Sequence, residues 1–255
     1  MFPLRDENPT ELTPYLTVAL IIVNVAVWFY VQGAGLSESV LVESVCRYGM
    51  IPAELTGRAA RGAAVEIAPG YVCRFGEGSL ATLLTTMFLH GSWLHLLSNM
   101  WFLWLFGNNV EDSMGHLRFI VFYLLTGLAA SGAHVLSSPD SPIPTVGASG
   151  AISGVMGAYL VLYPRVRIDT LFIFFFFIRI IPVSAWFVLL LWFALQLVAG
   201  MTAPAATGGV AVWAHVGGFV AGAALVKLFE NRTLVQAKRR GVKLSPWEIE
   251  RRGWL

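Results

Sequence analysis

Gly147-Ala-Ser149-Gly150-Ala-Ile-Ser153-Gly154-Val-Met-Gly157-Ala-Tyr-Leu-Val-Leu-Tyr163-Pro164 is the stretch whose reading decides the fold. It carries no charge, and Gly147 and Pro164 bracket an apolar run from Ser149 to Tyr163. Fifteen residues make about 22 Å of helix, several ångströms less than the roughly 30 Å of hydrocarbon in a bilayer. One end of such a helix must lie below the membrane surface. Irregular chain at that depth implies burial in protein or a water-filled cavity. Pro164, with Arg165 and Arg167 just beyond it, anchors the C-terminal end at the interface, so the submerged end is the N-terminus at Gly147–Gly150. A buried helix N-terminus offers free N–H groups and a positive partial charge, a ready site for an anion, including a transient oxyanion.

The sequence on either side is of the same kind. Of 255 residues, 56% are apolar and 13% charged, where soluble domains average about 25% charged. Residues 12–37 and 78–110 carry no charge, and Arg179 is the only charged side chain between Asp169 and Lys227. A water-facing surface needs polar groups to cover it. These runs therefore exclude a soluble enzyme and a disordered chain, and a net charge of +2 gives no reason to expect a nucleic-acid partner. They predict an all-α polytopic membrane protein with six spans near Tyr15–Val31, Trp93–Val110, Leu117–Leu136, Ser149–Tyr163, Val183–Gly200 and Val210–Phe229. The expected organisation is a leader at 1–13, a six-helix membrane domain at 14–229 with a long first connection at 32–92, and a basic tail at 230–255. Leu171–Ile181, apolar but interrupted by Arg179 and followed by Pro182, is expected at the interface, leading into the fifth helix. Leu80–Leu89 is apolar enough to dip into the membrane.

Six spans put both termini on one side. With the termini inside, 13 of the 17 basic residues are cytoplasmic and only Arg47, Arg58, Arg61 and Arg74 lie outside, as the positive-inside rule asks. The first apolar segment lacks a clear cleavage site and reads as a retained helix. Lys238, Arg239, Arg240 and Lys243 suit a solvated tail attracted to anionic headgroups. Cys46 and Cys73 are too few for a disulfide scaffold and wrongly spaced for zinc; they would pair only if their loop faced an oxidising compartment.

Against this background the polar residues within spans stand out. His215 lies about one turn inside the sixth helix, where an ionisable group is costly and a functional candidate, although an interhelical hydrogen bond would also account for it. Gly150, Gly154 and Gly157 on the fourth helix, and Gly218 and Gly222 on the sixth, allow close packing of the two. That packing would bring Ser149 and His215 to matching depth, and a serine hydrogen-bonded to an imidazole is an activated nucleophile. No acidic third member is apparent. On the second helix His95 and Asn99 share a face, and an amide aimed at the cavity would help to form an oxyanion hole with the Ser149 N–H. His90 and His95 lack acidic or cysteine companions, so neither a metal nor another cofactor is expected. His116 and His134 read as helix-end or loop residues without a partner, and Glu111, Asp112 and Arg118 as a salt-bridge network holding one turn.

The run His90-x4-His95-x3-Asn99, then Gly147-x-Ser149-Gly150, then Ala214-His215-x-Gly217-Gly218 resembles the rhomboid intramembrane serine proteases, in the right order over residues 78–229. The resemblance implies Ser149 as nucleophile, His215 as general base, and His95 and Asn99 as oxyanion stabilisers. It also implies cleavage within or beside the transmembrane helix of a membrane-protein substrate, often at a small residue, with water entering from the outer face. The expected setting is a bacterial inner membrane with both termini cytoplasmic; the oligomeric state is left open. Many relatives place an aromatic residue one turn after the nucleophile, against the histidine, where this chain has Ser153. What orients His215 is therefore open. Some relatives also carry a Trp-Arg pair in the first loop, and residues 33–92 contain no tryptophan. A non-catalytic scaffold that binds client helices, and a small transporter, are the competing readings. The transporter is disfavoured by the lack of an inverted repeat and of acidic ion ligands in the spans.

Overall fold

The computed structural model describes residues 1–76, 78–174, 177–202, 211–240, 242 and 244–253. Strand β1 (Phe2–Asp6) precedes α1 (Tyr15–Tyr30). The long connection holds α2 (Glu38–Tyr48), α3 (Pro52–Leu55), the hairpin β2 (Ala64–Ala68) and β3 (Tyr71–Arg74), and α4 (Thr82–Thr85). Then come α5 (Trp93–Met114), α6 (His116–Ser137), α7 (Ser149–Leu162), β4 (Arg167–Phe174), β5 (Phe177–Ser184), α8 (Ala185–Thr202), α9 (Val212–Phe229), α10 (Arg232–Arg240) and α11 (Pro246–Gly253). The chain is mostly helical, and α1 and α5–α9 fall where the six spans are expected. Among the described residues α6, α8 and α9 are long and apolar enough to cross a membrane, while α1 and α7 are shorter apolar helices. Val210, expected to open the last span, lies outside the described residues, as do Phe175 and Phe176 of the phenylalanine run and Lys243 of the tail.

The all-α expectation needs correcting, because the described residues also form two small sheets, the β2–β3 hairpin and a three-stranded one. Leu171–Phe174 and Phe177–Ile181 lie in the paired strands β4 and β5, and β5 runs directly into α8, so the stretch leads into the fifth helix as expected but as strand; β4 pairs on its other edge with β1, giving the order β1-β4-β5. β-branched and aromatic residues favour a pleated strand. Pro182, opposite Asp169, is tolerated because β5 is an edge strand.

At one end of the bundle, buried carboxylates tie the leader, the helices and the tail together. α1 has no side-chain cap of its own. Glu111 of α5 instead accepts from the Leu16 N–H (3.0 Å), the Thr17 N–H (2.8 Å) and the Thr17 hydroxyl (2.7 Å). An anion at a helix N-terminus satisfies orphan donors and faces the positive end of the dipole. Asp112 accepts from the Glu11 and Leu12 N–H groups and from Lys238 of α10. His116, expected to be without a partner, is 2.5 Å from Glu111 through Nδ1. Arg118, expected in this network, is exposed. Tail helix α10 is docked rather than solvated: Lys238 also donates to Asn109, and Arg239 to the Leu162 carbonyl.

α7 is the centre of the fold. Gly150 through Tyr159 are all buried, as suits a helix that is apolar on every face. It packs most extensively on α9, and glycines make that contact possible. A Cβ on Gly157 would overlap the Phe219 carbonyl, and one on Gly222 the Gly154 carbonyl. α8 differs, with only Ala185 and Leu189 buried. In the long connection Cys46 of α2 and Cys73 of β3 form a disulfide, which the spacing alone had left open. Leu80–Leu89 forms α4 and a single 3-10 turn, with Met87 and Leu89 buried.

Candidate active site

Ser149 is the first residue of α7, and its neighbours show why it sits in a cavity rather than in packed protein. Gly147, just before it, has φ +134°, a conformation that side chains rarely adopt. A Cβ there would stand 2.8 Å from His95 Nε2 and 3.3 Å from Ser149 Oγ. Glycine thus lets the serine hydroxyl, the His95 ring and the opening of α7 converge.

His215, on the first turn of α9, is 2.7 Å from Ser149 Oγ through Nε2. Its Nδ1 is 3.0 Å from Oε1 of Gln196 on α8. Trp192, one turn earlier on α8, lies tilted against the imidazole with ring centroids 6.0 Å apart. Ser153 does not reach the histidine; its hydroxyl donates to the Ser149 carbonyl at 2.6 Å. Gln196 and Trp192 were missed from sequence. Gln196 carried a signal, as the only side-chain amide in the apolar α8.

On α5, Ser92 caps the helix by accepting from the His95 N–H at 3.1 Å. The His95 Nδ1 accepts from the Gly91 N–H at 3.3 Å. A neutral imidazole that accepts at Nδ1 carries its hydrogen on Nε2, and that nitrogen is the one that faces Gly147. Asn99, one turn on, donates one amide hydrogen to the His95 carbonyl (3.0 Å) and keeps a second. Ser149, His215, His95, Asn99, Trp192 and Gln196 all line one cavity of about 630 Å³. A hydroxyl bonded to an imidazole, beside N–H donors and a helix N-terminus, can attack a carbonyl and hold the resulting oxyanion.

His90 is buried with its ring edge-on to His95, centroids 5.1 Å apart. Its backbone exchanges hydrogen bonds with the Gln32 side chain, while both ring nitrogens lack a partner. Burial, and then the neighbouring His95, push its pKa down to about 3. Among the described residues no group of three or more histidine, cysteine or acidic side chains is placed to hold a metal ion.

The Rhomboid domain family matches residues 77–232, a segment that contains every site residue named above. The chain is 37% identical over 84 residues to RHOMBOID-like protein 5 of Arabidopsis thaliana, covering 33% of this chain and 27% of that one. It is 42% identical over 84 residues to Rhomboid protease GluP of Bacillus subtilis (strain 168), covering 33% of this chain and 16% of that one. It is 34% identical over 91 residues to the putative rhomboid protease YdcA of the same bacterium, covering 36% and 45%. The matches thus span less than half the length of each of these relatives.

Proposed function

Since the chain belongs to the rhomboid family, we propose that it is an intramembrane serine endopeptidase that cleaves within or beside the transmembrane helices of membrane-protein substrates. The observation that carries this reading is the 2.7 Å hydrogen bond between Ser149 Oγ and His215 Nε2 at the opening of the short helix α7. His215 takes the serine proton as Oγ attacks the scissile carbonyl carbon. The tetrahedral oxyanion is held by the α7 N-terminal N–H groups, the His95 Nε2–H and the second amide hydrogen of Asn99. One such donor contributes about 2.7–4 kcal/mol in a soluble protease. Histidinium then protonates the leaving amine, the C–N bond breaks, and an acyl-enzyme remains on Ser149. His215 deprotonates a water that attacks the ester, releasing the acid and restoring the hydroxyl.

The same reading has six spans, α1 and α5–α9, and both termini in the cytoplasm of a bacterium whose inner membrane holds the protein. The excess of basic residues on the terminal side supports this orientation. The Cys46–Cys73 disulfide supports it independently, since a disulfide persists in an oxidising compartment and the connection that holds it then lies outside.

Fluorophosphonate labelling tests the nucleophile. Wild type should be labelled and should cut a labelled single-pass protein in proteoliposomes, and Ser149→Ala should do neither. Equal labelling of both proteins would overturn the assignment. Wild type that never cuts, but binds client helices unchanged by Ser149→Ala, would favour a scaffold.

A further inference from the structure

A base that activates serine must keep one ring nitrogen free of hydrogen and aimed at the hydroxyl, and a third group usually enforces this. Among the described residues no carboxylate touches His215; the ionisable groups near it are His95 and His134. Its own helix offers no orienting contact. α7 offers none beyond Ser149 itself, because Ser153 is turned to its own backbone. α8 supplies two contacts from one face: Gln196 Oε1 at 3.0 Å from Nδ1, and Trp192 against the ring.

The amide oxygen can only accept, so Nδ1 must carry the ring hydrogen. Nε2 is then the lone-pair nitrogen, the one that faces Ser149 Oγ at 2.7 Å. The opposite tautomer would set the Nδ1 lone pair against the amide oxygen and an N–H against the serine hydroxyl. Trp192 also lies against Phe219, one turn along α9 from His215, so a single indole packs on the ring and on the helix that carries it.

We propose that Gln196 is the positioning residue of the Ser149–His215 pair, fixing the tautomer and plane of His215 from α8, with Trp192 closing the ring's face. The proposal rests on the protease reading above. No proton leaves the amide: when Nε2 takes the serine proton, the Nδ1–H bond to Gln196 persists, and the carbonyl dipole faces the imidazolium. A neutral amide thus does the orienting for which other serine hydrolases use a carboxylate.

Three variants beside wild type test it: Gln196→Met (similar length, no acceptor), Gln196→Glu (the same shape, oxygen kept) and Ser149→Ala. For each, kcat and KM on a labelled single-pass substrate, the rate of fluorophosphonate labelling, and the melting temperature in detergent are measured. Gln196→Met should lose about tenfold to a hundredfold in both kcat and labelling rate, with KM and melting temperature close to wild type. Gln196→Glu should restore most of both rates. Equal losses in the Met and Glu variants, or a Met variant as fast as wild type, would overturn the proposal. Ser149→Ala separates the two levels: if it labels like wild type the protease reading fails, whereas an unlabelled Ser149→Ala beside a fully active Gln196→Met leaves that reading standing and removes only Gln196.

Discussion

The α7–α9 pair and α8 meet at the same imidazole but are held in place differently. The first joins two helices backbone to backbone: carbonyls of Gly150, Gly154 and Phe219 lie where a Cβ on the facing glycine would have to go. α8 is pinned at its start by the Ala185 and Trp186 N–H groups, which donate to the Val166 and Pro164 carbonyls, but beyond that turn it touches its neighbours through side chains, and it buries only Ala185 and Leu189. Beyond its first two turns it is held by the Trp192 and Phe193 rings on Phe219 and by the Gln196 bond to His215. Close-packed interiors allow little play. The Ser149–His215 distance is therefore set by the rigid pair, and the orientation of the ring by the less buried α8.

The largest effect should come from breaking the rigid side. In Gly222→Val the new side chain has no room against the Gly154 carbonyl, so α7 and α9 must separate. Overpacking costs about 1–3 kcal/mol where a core can shift side chains, and more is expected where the obstacle is backbone. A shift of 1 Å between reacting groups is enough to lose about a hundredfold in rate. Fluorophosphonate labelling and peptide-bond cleavage should both fall at least that far, together with the melting temperature. Wild-type labelling in this variant would mean that the glycine contacts do not set the dyad distance.

The rigid side was also the more legible one. Long charge-free runs marked the helices, because a bilayer excludes charge, and the four-residue glycine spacing paired α7 with α9. Ser149, His215, His95 and Asn99 emerged as polar intruders, and the structure brings all four to one cavity. Gln196 obeys the same rule and was passed over because a lone amide in a membrane helix has no motif around it. The strands were hidden for another reason. A short apolar run does not reveal its own period, and β4 finds one of its two partners 164 positions away, where Arg5 bonds Asp169. Nor could spacing pair Cys46 with Cys73, whose approach depends on how α2 and β3 pack.

A smaller effect is expected on the α8 side. Trp192→Ala removes the indole from both His215 and Phe219 but leaves the dyad distance to the glycine contacts. Freeing the ring plane should lower kcat by about tenfold, or about 1.4 kcal/mol in the barrier, while KM stays within about twofold. If the loss instead matched that of Gly222→Val, α8 would be as much a part of the rigid frame as α9, and the contrast between the two would disappear.

The smallest effect on the rate at neutral pH lies beside His95, just before α5, where a change in stability appears only on acidification. His90 is held neutral, with its pKa at about 3 against an ordinary value of 6.5, first by burial and then by His95. Between those values the unfolded chain binds a proton at this position that the folded chain refuses. Stability from this group is therefore complete above about pH 6.5 and declines as pH falls toward 3. His90→Phe removes the titration, and because neither ring nitrogen has a partner it strands no hydrogen bond of the ring. The Gln32 bonds survive, since they go to the backbone. Melting temperatures of wild type and variant, followed from pH 7 to pH 4 in one detergent, should agree within a few degrees at the top and diverge steadily below pH 6.5, with the variant the more stable. Parallel curves would show that His90 accepts its proton without unfolding. The wall of the cavity beside His95 would then yield to acid, and α8 would not be the only pliant element around the site.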